Sequence, residues 1–397
     1  MGKRTIQIAT PSIGLEEWEA TKACYESGWL TQGPKVAAFE QAWAQRHNCK
    51  HAVAVTSCTT GLHLVLAALG IGPGDEVLVP AFTWIATANV VVQCGAKPVF
   101  VDVMPRSYNI DPDLIASKVT ERTKAIIPVH LFGFCADMDA IHDALPPHVH
   151  VIEDAACATG SIYKDESAGS IGIAGVFSLH PRKTITTGEG GMITTNSDRL
   201  AEKLRVLKNH GASLSEEQRH LGPKPYLLPA FEEQGYNYRM TDIQGAIGLV
   251  QLGKLEGLLD ERRACAAYYR ECLQDLRWLE LPKEPKSGLH SWQAFVCRVN
   301  PQLAPMPRNA MMELLQDRGI STRPGTHAVH ALDYYQRVWG TRVEDCPVAW
   351  DCDQNTLAIP LHNCMSEEDY NYVVDAFYDL AKMGGKQGCA ASPAYST

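Results

Sequence analysis

Residues 180–191, HPRKTITTGEGG, set one amine, Lys183, among hydroxyls and glycines, with apolar β-prone residues on both sides. A lysine held in so tight a loop, near a bound phosphate and other cations, is expected to shift toward its neutral, nucleophilic form and to be able to form an imine. A solvated surface lysine is the ordinary alternative, but it leaves the glycine-rich loop unexplained. A carboxylate, Asp154, ends the apolar strand HVHVIEDAA. An acidic residue at the end of a buried strand calls for a partner, and a protonated ring nitrogen would serve, as would a capping or salt-bridge role. In TSCTTGLHLVLAAL, the spacing of Leu62, Val65, Leu66 and Leu69 predicts a helix with Ser57 to Gly61 in its first turn. Free N–H groups there, with the hydroxyls of Thr59 and Thr60, suit a phosphate, although plain N-capping uses the same residues. Trp84, in VPAFTWIATAN, follows a strand and precedes a helix, where its ring either stacks on a flat ligand or fills the core. A phosphate cradle, a stacking ring, a carboxylate for a pyridinium and an amine for an aldehyde are the four groups that pyridoxal phosphate requires.

The elements that must position these residues follow from the hydrophobic rhythm. Between about residues 51 and 155, HAVAVTS, DEVLVP, KPVFVDV, AIIPVHLFG and VHVIEDAA read as strands. They alternate with helical stretches in GLHLVLAALG, IATANVVVQCG, DPDLIASKV and DMDAIHDAL. Such alternation predicts βαβ units in a mainly parallel sheet covered on both faces, with ligands at the carboxyl ends of the strands. AGVFSLH and GGMITTN are also strands, but too few residues separate them for a crossover helix, so Lys183 lies in a short connection. SDRLAEKLRVLKNHG is a helix with a Ser/Asp start and a Gly end. A Pro- and Gly-rich loop over 211–236 precedes the helix TDIQGAIGLVQLGKLEGLL, and residues 256–275 form a long helix leading into a smaller unit. The expected division is a large cofactor-binding domain over 1–255, including an N-terminal arm, a small C-terminal domain over 256–383, and a disordered tail over 384–397. No internal repeat is present.

Composition narrows the partners. The chain has 397 residues, 36 basic and 45 acidic, for a formal net charge of −9. That balance offers no basic field for nucleic acid or an anionic membrane and favours a small-molecule partner. No apolar run is long enough to span a bilayer and the N-terminus has no apolar signal core, so a cytoplasmic enzyme is expected. The 13 cysteines are scattered singly, without the spacing of a disulfide framework or of a zinc or iron-sulfur site; no metal is expected.

These residues and the stretches GWLTQGPKVAAFE, LGIGPGDEVLVPAFTWIATANVV, IIPVHLFGFCADMDAI, VIEDAA, FSLHPRKTITTGEGGMITTN, GYNYRMTDIQGAIGLVQLGKL and STRPGTHAVH carry a resemblance. From about residue 5 to 380 the chain resembles the DegT-type nucleotide-sugar aminotransferases. These are pyridoxal-phosphate enzymes of the aspartate aminotransferase fold type I: an α/β fold with a large three-layer domain around a mostly parallel mixed sheet and a smaller C-terminal α+β domain. The resemblance implies that Lys183 binds the cofactor as an imine and then moves protons, and that Asp154 partners the pyridine nitrogen. It implies Thr59, the Thr60 N–H and Ser178 as phosphate ligands and Trp84 as the stacking ring. Asn237 and Arg239, in YNYRM, would complete the site of a neighbouring subunit in a homodimer. His330, and with it His327, would lie near the sugar. The implied reaction moves an amino group from L-glutamate, or glutamine, to a keto sugar on a nucleotide. A sugar-nucleotide dehydratase, amination of a keto cyclitol and a non-catalytic cofactor-binding member are the alternatives. Two departures stand out. Cys157 replaces the Gln or His found after EDAA in many relatives, leaving the partner of the cofactor's 3-hydroxyl open. Some dehydratase relatives carry His in place of the lysine, but here His180 precedes a lysine that is present, which gives the histidine a structural role.

Overall fold

The computed structural model describes residues 4–214, 222–224 and 226–383; the 384–397 tail and parts of the 211–236 loop lie outside them. Seven strands build the central sheet: β1 (His51–Val55), β2 (Glu76–Pro80), β3 (Lys97–Val101), β4 (Thr123–Ile126), β5 (His150–Asp154), β6 (Ala174–Ser178) and β7 (Gly191–Thr195). Their spatial order is β1-β7-β6-β5-β4-β2-β3. Neighbours from β6 to β3 pair in parallel, whereas β7 is antiparallel to both β1 and β6. The short connection that carries Lys183 produces this single reversal, because it is a turn and not a crossover.

Side-chain alternation divides the strands between two cores. Val53, Val55, Val77, Val79, Ile152, Val176 and Ile193 face one layer with α3 (Cys58–Ala68), α4 (Ala86–Gln93) and α6 (Asp198–Lys208). Ala52, Ala54, Phe177 and Met192 face the other, with Val36, Phe39 and Trp43 of α2 (Pro34–Arg46) and Leu255 and Leu259 of α7 (Asp242–Leu273). On that same side Leu78, Val101, Ile126 and Val151 pack on Met138 and Ile141 of α5 (Met138–Asp143). The result is the α/β/α sandwich that the alternation predicts.

The structure departs from the sequence expectation in three places. DPDLIASKV forms two 3-10 turns, Pro112–Leu114 and Ala116–Lys118, in place of a helix. Ile115 alone is buried in that stretch, and one anchor makes no apolar stripe. The two helices expected around residue 256 are the single 32-residue α7, whose first half packs on the central sheet while Tyr269 and Leu273 enter a C-terminal core. That core covers a three-stranded sheet of β8 (Leu279–Glu280), β9 (Phe295–Val299) and β10 (Thr356–Ile359). Helices α8 (Arg308–Asp317), α9 (Asp333–Trp339), α10 (Pro347–Asn355) and α11 (Glu367–Met383) complete this part of the chain. The N-terminal arm also lies here, since Ile6 bridges Ile320 and joins the C-terminal core.

Helix α1 (Leu15–Ser27) is inverted. Its buried side presents Glu17, Thr21 and Cys24, while Leu15, Trp18 and Tyr25 are exposed at 76%, 59% and 65%. Glu17 explains the polar inner face, because it accepts from Gln251 Nε2 at 2.8 Å, Lys254 Nζ at 2.6 Å and Gly14 N at 2.8 Å.

Just behind the sheet edge that carries Asp154, Glu153 is fully buried. It accepts from Gly169 N, Ile171 N and Gly172 N at 2.7 Å each and from His130 Nε2 at 2.8 Å. His130 Nδ1 in turn accepts from Ala136 N at 3.1 Å, which fixes the orientation of the ring. Truncation of Glu153 to Ala leaves four donors unpaired, those of Gly169 and His130 fully buried, and is expected to lower the unfolding free energy by about 3 kcal/mol, measured by urea denaturation.

Candidate active site

The carboxyl ends of β1, β5 and β6 and the start of β7 converge on one cavity of about 440 Å³, bordered by Ser57, Cys58, Thr59, Trp84, Thr87, Asp154, Cys157, Ser178, His180 and Lys183 among others. The antiparallel β7 draws this edge together: Gly191 pairs with both Val55 and Ser178. A Cβ on Gly191 would lie 2.4 Å from Ser57 C and 2.6 Å from Cys58 N, so only glycine lets the strand pass beneath the start of α3.

Asp154 is 5% exposed. Its carboxylate accepts from Thr87 Oγ1 at 2.8 Å and from Ala156 N at 3.1 Å. Burial pushes its carboxyl above the ordinary carboxylate range, and the Thr87 hydroxyl, the Ala156 N–H, Lys183 and His130 offset only part of that shift. Thr87 sits in the first turn of α4, on the face turned back to the sheet, and its hydroxyl also meets Thr83 Oγ1 at 3.1 Å. Thr87 was not among the residues that the sequence marks for chemistry. Its one signal was the pair of threonines four apart around Trp84.

At the start of α3 a capping box is closed. Thr60 N donates to Ser57 Oγ at 3.1 Å and Ser57 N donates to Thr60 Oγ1 at 3.0 Å. The Thr60 N–H expected to hold phosphate is therefore engaged within the turn. Cys58 and Thr59, at the first two helical positions, have no intrahelical acceptor for their N–H groups, and both border the cavity. Ser178 borders it from the end of β6.

Lys183 is half-buried, and its Nζ lies 3.2 Å from Cys157 Sγ. The expected shift toward the neutral amine is not what this arrangement produces. Burial works to lower its pKa, but Cys157, Cys58 and Asp154 outweigh it and the net direction is up. The sequence offered the loop but not the two sulfurs around the nitrogen. Burial, reinforced by Asp154, likewise drives the Cys58 thiol well up. His180 Nδ1 accepts from Arg182 N at 3.2 Å, which fits its expected structural role in the turn.

Trp84 is largely exposed on the cavity wall, with its ring centroid 5.7 Å from that of His327. His327 is held by the two-stranded pairing of His327–Ala328 with Phe82–Thr83. His330 is not brought to this cavity. The 3-10 turn Val329–Ala331 carries it to full burial, where Nε2 meets Val343 O at 3.2 Å and the ring faces Phe100. It borders a separate crevice with Lys97, Lys118 and Trp339. Asn237 and Arg239 do not border the cavity of their own chain; Asn237 is exposed, and Arg239 Nη1 donates to Asn209 Oδ1 at 2.9 Å.

A buried carboxylate aimed at a cavity, a helix start with unused N–H groups and an amine on the facing loop together fit pyridoxal phosphate. Comparison with known proteins points the same way. Residues 11–378 match the DegT/DnrJ/EryC1/StrS aminotransferase family. The chain is 41% identical to the spore coat polysaccharide biosynthesis protein SpsC of Bacillus subtilis, over 95% of this chain and 97% of that one. Among solved structures it is similar to a putative sugar aminotransferase, Spr1654, from Streptococcus pneumoniae in its PMP form. The TM-score is 0.90 at 27% identity, covering 96% of this chain and all of that one. An aminotransferase from Psychrobacter cryohalolentis superposes with a TM-score of 0.89 at 31% identity, over 94% and 98% of the two chains. Fold and site thus define a pyridoxal-phosphate-dependent aminotransferase. The chain belongs to the DegT/DnrJ/EryC1/StrS family.

Thr87→Val keeps the shape but removes the hydroxyl donor at 2.8 Å, so the Asp154 carboxyl should move further up and hold a cationic ring less well. A hydrogen bond to a charged group contributes about 1.5–3 kcal/mol, so the dissociation constant for pyridoxal phosphate is expected to rise roughly 10- to 100-fold in a fluorescence titration.

Proposed function

We propose that the protein moves an amino group from L-glutamate, or glutamine, to the carbonyl of a keto sugar carried on a nucleotide, in amino-sugar biosynthesis in the cytoplasm. The observation that carries this reading is the meeting of Lys183, Asp154, Thr59, Ser178 and Trp84 around one cavity. The sugar is supported by relatives named for polysaccharide and sugar chemistry. An anionic substrate is supported by Arg182 and Arg323, which border the cavity and form no ion pair with a carboxylate among the described residues. No helix of the described residues is long and apolar enough to cross a membrane.

Bound pyridoxal phosphate supplies an electron sink for the pair of electrons left when a substrate carbon loses its proton. The chain's own residues do the rest. Asp154 keeps the ring nitrogen protonated by offering a buried carboxylate as its counter-ion, held in orientation by Thr87 and Ala156. The helix start at Cys58 and Thr59, with Ser178, takes the phosphate through N–H and hydroxyl groups. Lys183 Nζ holds the cofactor and, once released, takes a proton from one carbon and gives it to another. Leu62, Val129 and Phe132 give the cavity an apolar stretch of wall beside these groups.

The active unit in this proposal is a homodimer in which Asn237, with Arg239, completes the partner's phosphate site. Support comes from the exposed Asn237, which does not border its own cavity, and from the exposed apolar residues of α1, which a second copy would cover.

Lys183→Ala should lose the near-visible absorbance of lysine-bound cofactor and turnover together; a variant that turns over at a comparable rate contradicts the role. Offered a panel of keto sugar nucleotides with glutamate, the enzyme should form 2-oxoglutarate and an amino sugar by mass spectrometry, whereas a deoxygenated sugar without 2-oxoglutarate would point to dehydration. Mixing Lys183→Ala with Asn237→Ala, each inactive alone, should restore roughly a quarter of wild-type activity, since half the dimers then hold one intact shared site. No restoration on exchange of subunits would mean that each site is built from one chain.

A further inference from the structure

Cys157 has no part in the reaction above, yet its Sγ is the only hydrogen-bond partner of Lys183 Nζ among the described residues, at 3.2 Å. Ser291 Oγ donates to the Cys157 carbonyl at 3.1 Å, so the backbone carrying the thiol is fixed. The side chain is half-buried and borders the cavity, open to small solutes. The neighbouring thiol differs: Cys58 is buried, and its Sγ is directed at Val176 O, 3.6 Å away, and Asp154 Oδ1, 4.0 Å away. An accessible sulfur with a nucleophile already in contact is the arrangement in which a first oxidation is followed by capture.

We propose that Cys157 and Lys183 form an oxidative modification site, at which hydrogen peroxide joins Sγ to Nζ as a sulfenamide. In the first step the sulfur attacks one peroxide oxygen. The O–O bond breaks, sulfur loses two electrons to the peroxide, and a sulfenic acid and one water result. In the second, Lys183 Nζ first gives its ammonium proton to solvent, and the lone pair so freed attacks sulfur. The S–N bond forms, the S–O bond breaks, and hydroxide leaves with a proton from nitrogen as a second water. One thiol, one amine and one peroxide thus become one sulfenamide and two waters, and the chain is lighter by two hydrogens. The pair itself stands on the contact in the structure; only its dependence on cofactor state rests on Lys183 being the cofactor lysine. A lysine joined to pyridoxal phosphate has no free amine to capture sulfur, whereas protein loaded with pyridoxamine phosphate has one.

The test treats both loaded forms with hydrogen peroxide and reads intact mass and tryptic peptides. In the pyridoxamine-phosphate form the expected product is lighter by two hydrogens, has the peptides of residues 157 and 183 joined, and reverts with a thiol reductant; the pyridoxal-phosphate form is protected. Cys157→Ala should abolish the product. Lys183→Ala, or Lys183→Arg should the first fold poorly, should leave a sulfenic acid on Cys157 that dimedone traps. Wild type that gains only oxygen at Cys157, or that joins Cys157 to Cys58, overturns the site. Equal cross-linking in both loaded forms keeps the site and instead removes Lys183 as the cofactor lysine.

Discussion

A carboxylate buried at the end of a β-strand constrains everything else in this molecule. Asp154 has a hydroxyl, one N–H and the distant Cys58 thiol as direct partners, and burial moves its carboxyl up. In a medium of low polarity such a group calls for a cation. Lys183 supplies charge from across the cavity without a direct hydrogen bond, since its nitrogen is bonded to Cys157 instead. In the proposed reading the protonated ring nitrogen of pyridoxal phosphate would answer the remaining demand, and the electron-withdrawing chemistry of the cofactor would depend on that pairing.

The rest of the architecture delivers groups to that carboxylate. Parallel strands bring β5 and β6 to the same edge, and one reversed strand, β7, folds the Lys183 loop back over it. Gly191 allows the reversed strand to pass under the first turn of α3, whose unused N–H groups border the same cavity as the carboxylate. Behind the edge, Glu153 ties the loop at 169–172 to the sheet, so that consecutive acidic residues serve opposite faces: one structural, one facing the cavity. Period-two alternation forces that division, and it explains why two neighbouring carboxylates have such different partners.

Much of this was legible in the sequence. The strands around Val53, Val77, Val99, Ile152 and Val176 announced themselves as apolar runs between turn residues, and the short link from β6 to β7 announced its own reversal. Lys183 and Asp154 stood out because an amine among glycines and an acid after an apolar strand are chemically conspicuous. Thr87 did not, since nothing local distinguishes a threonine that reaches a carboxylate 67 positions away from one that caps its own helix. Cys157 was conspicuous as a departure from relatives, but its contact with Lys183 depends on how two loops meet. His330 was expected near the sugar on the resemblance alone, and no local pattern marks it as a residue that the following turn buries. A two-residue strand followed by a tight turn sends His327 and His330 to different sides of the pairing with Phe82–Thr83. The two 3-10 turns at 112–118 and the continuous α7 likewise turn on tertiary packing, through Ile115 in one case and through a C-terminal core that receives Tyr269 and Leu273 in the other.

The most direct test of the account is chemical. The protein is loaded with pyridoxal phosphate and reduced with borohydride, and the labelled residue is identified by peptide mass spectrometry. The account predicts a phosphopyridoxyl group on the Lys183 nitrogen. A label on another lysine, with Lys183 unmodified in fully loaded protein, would contradict it.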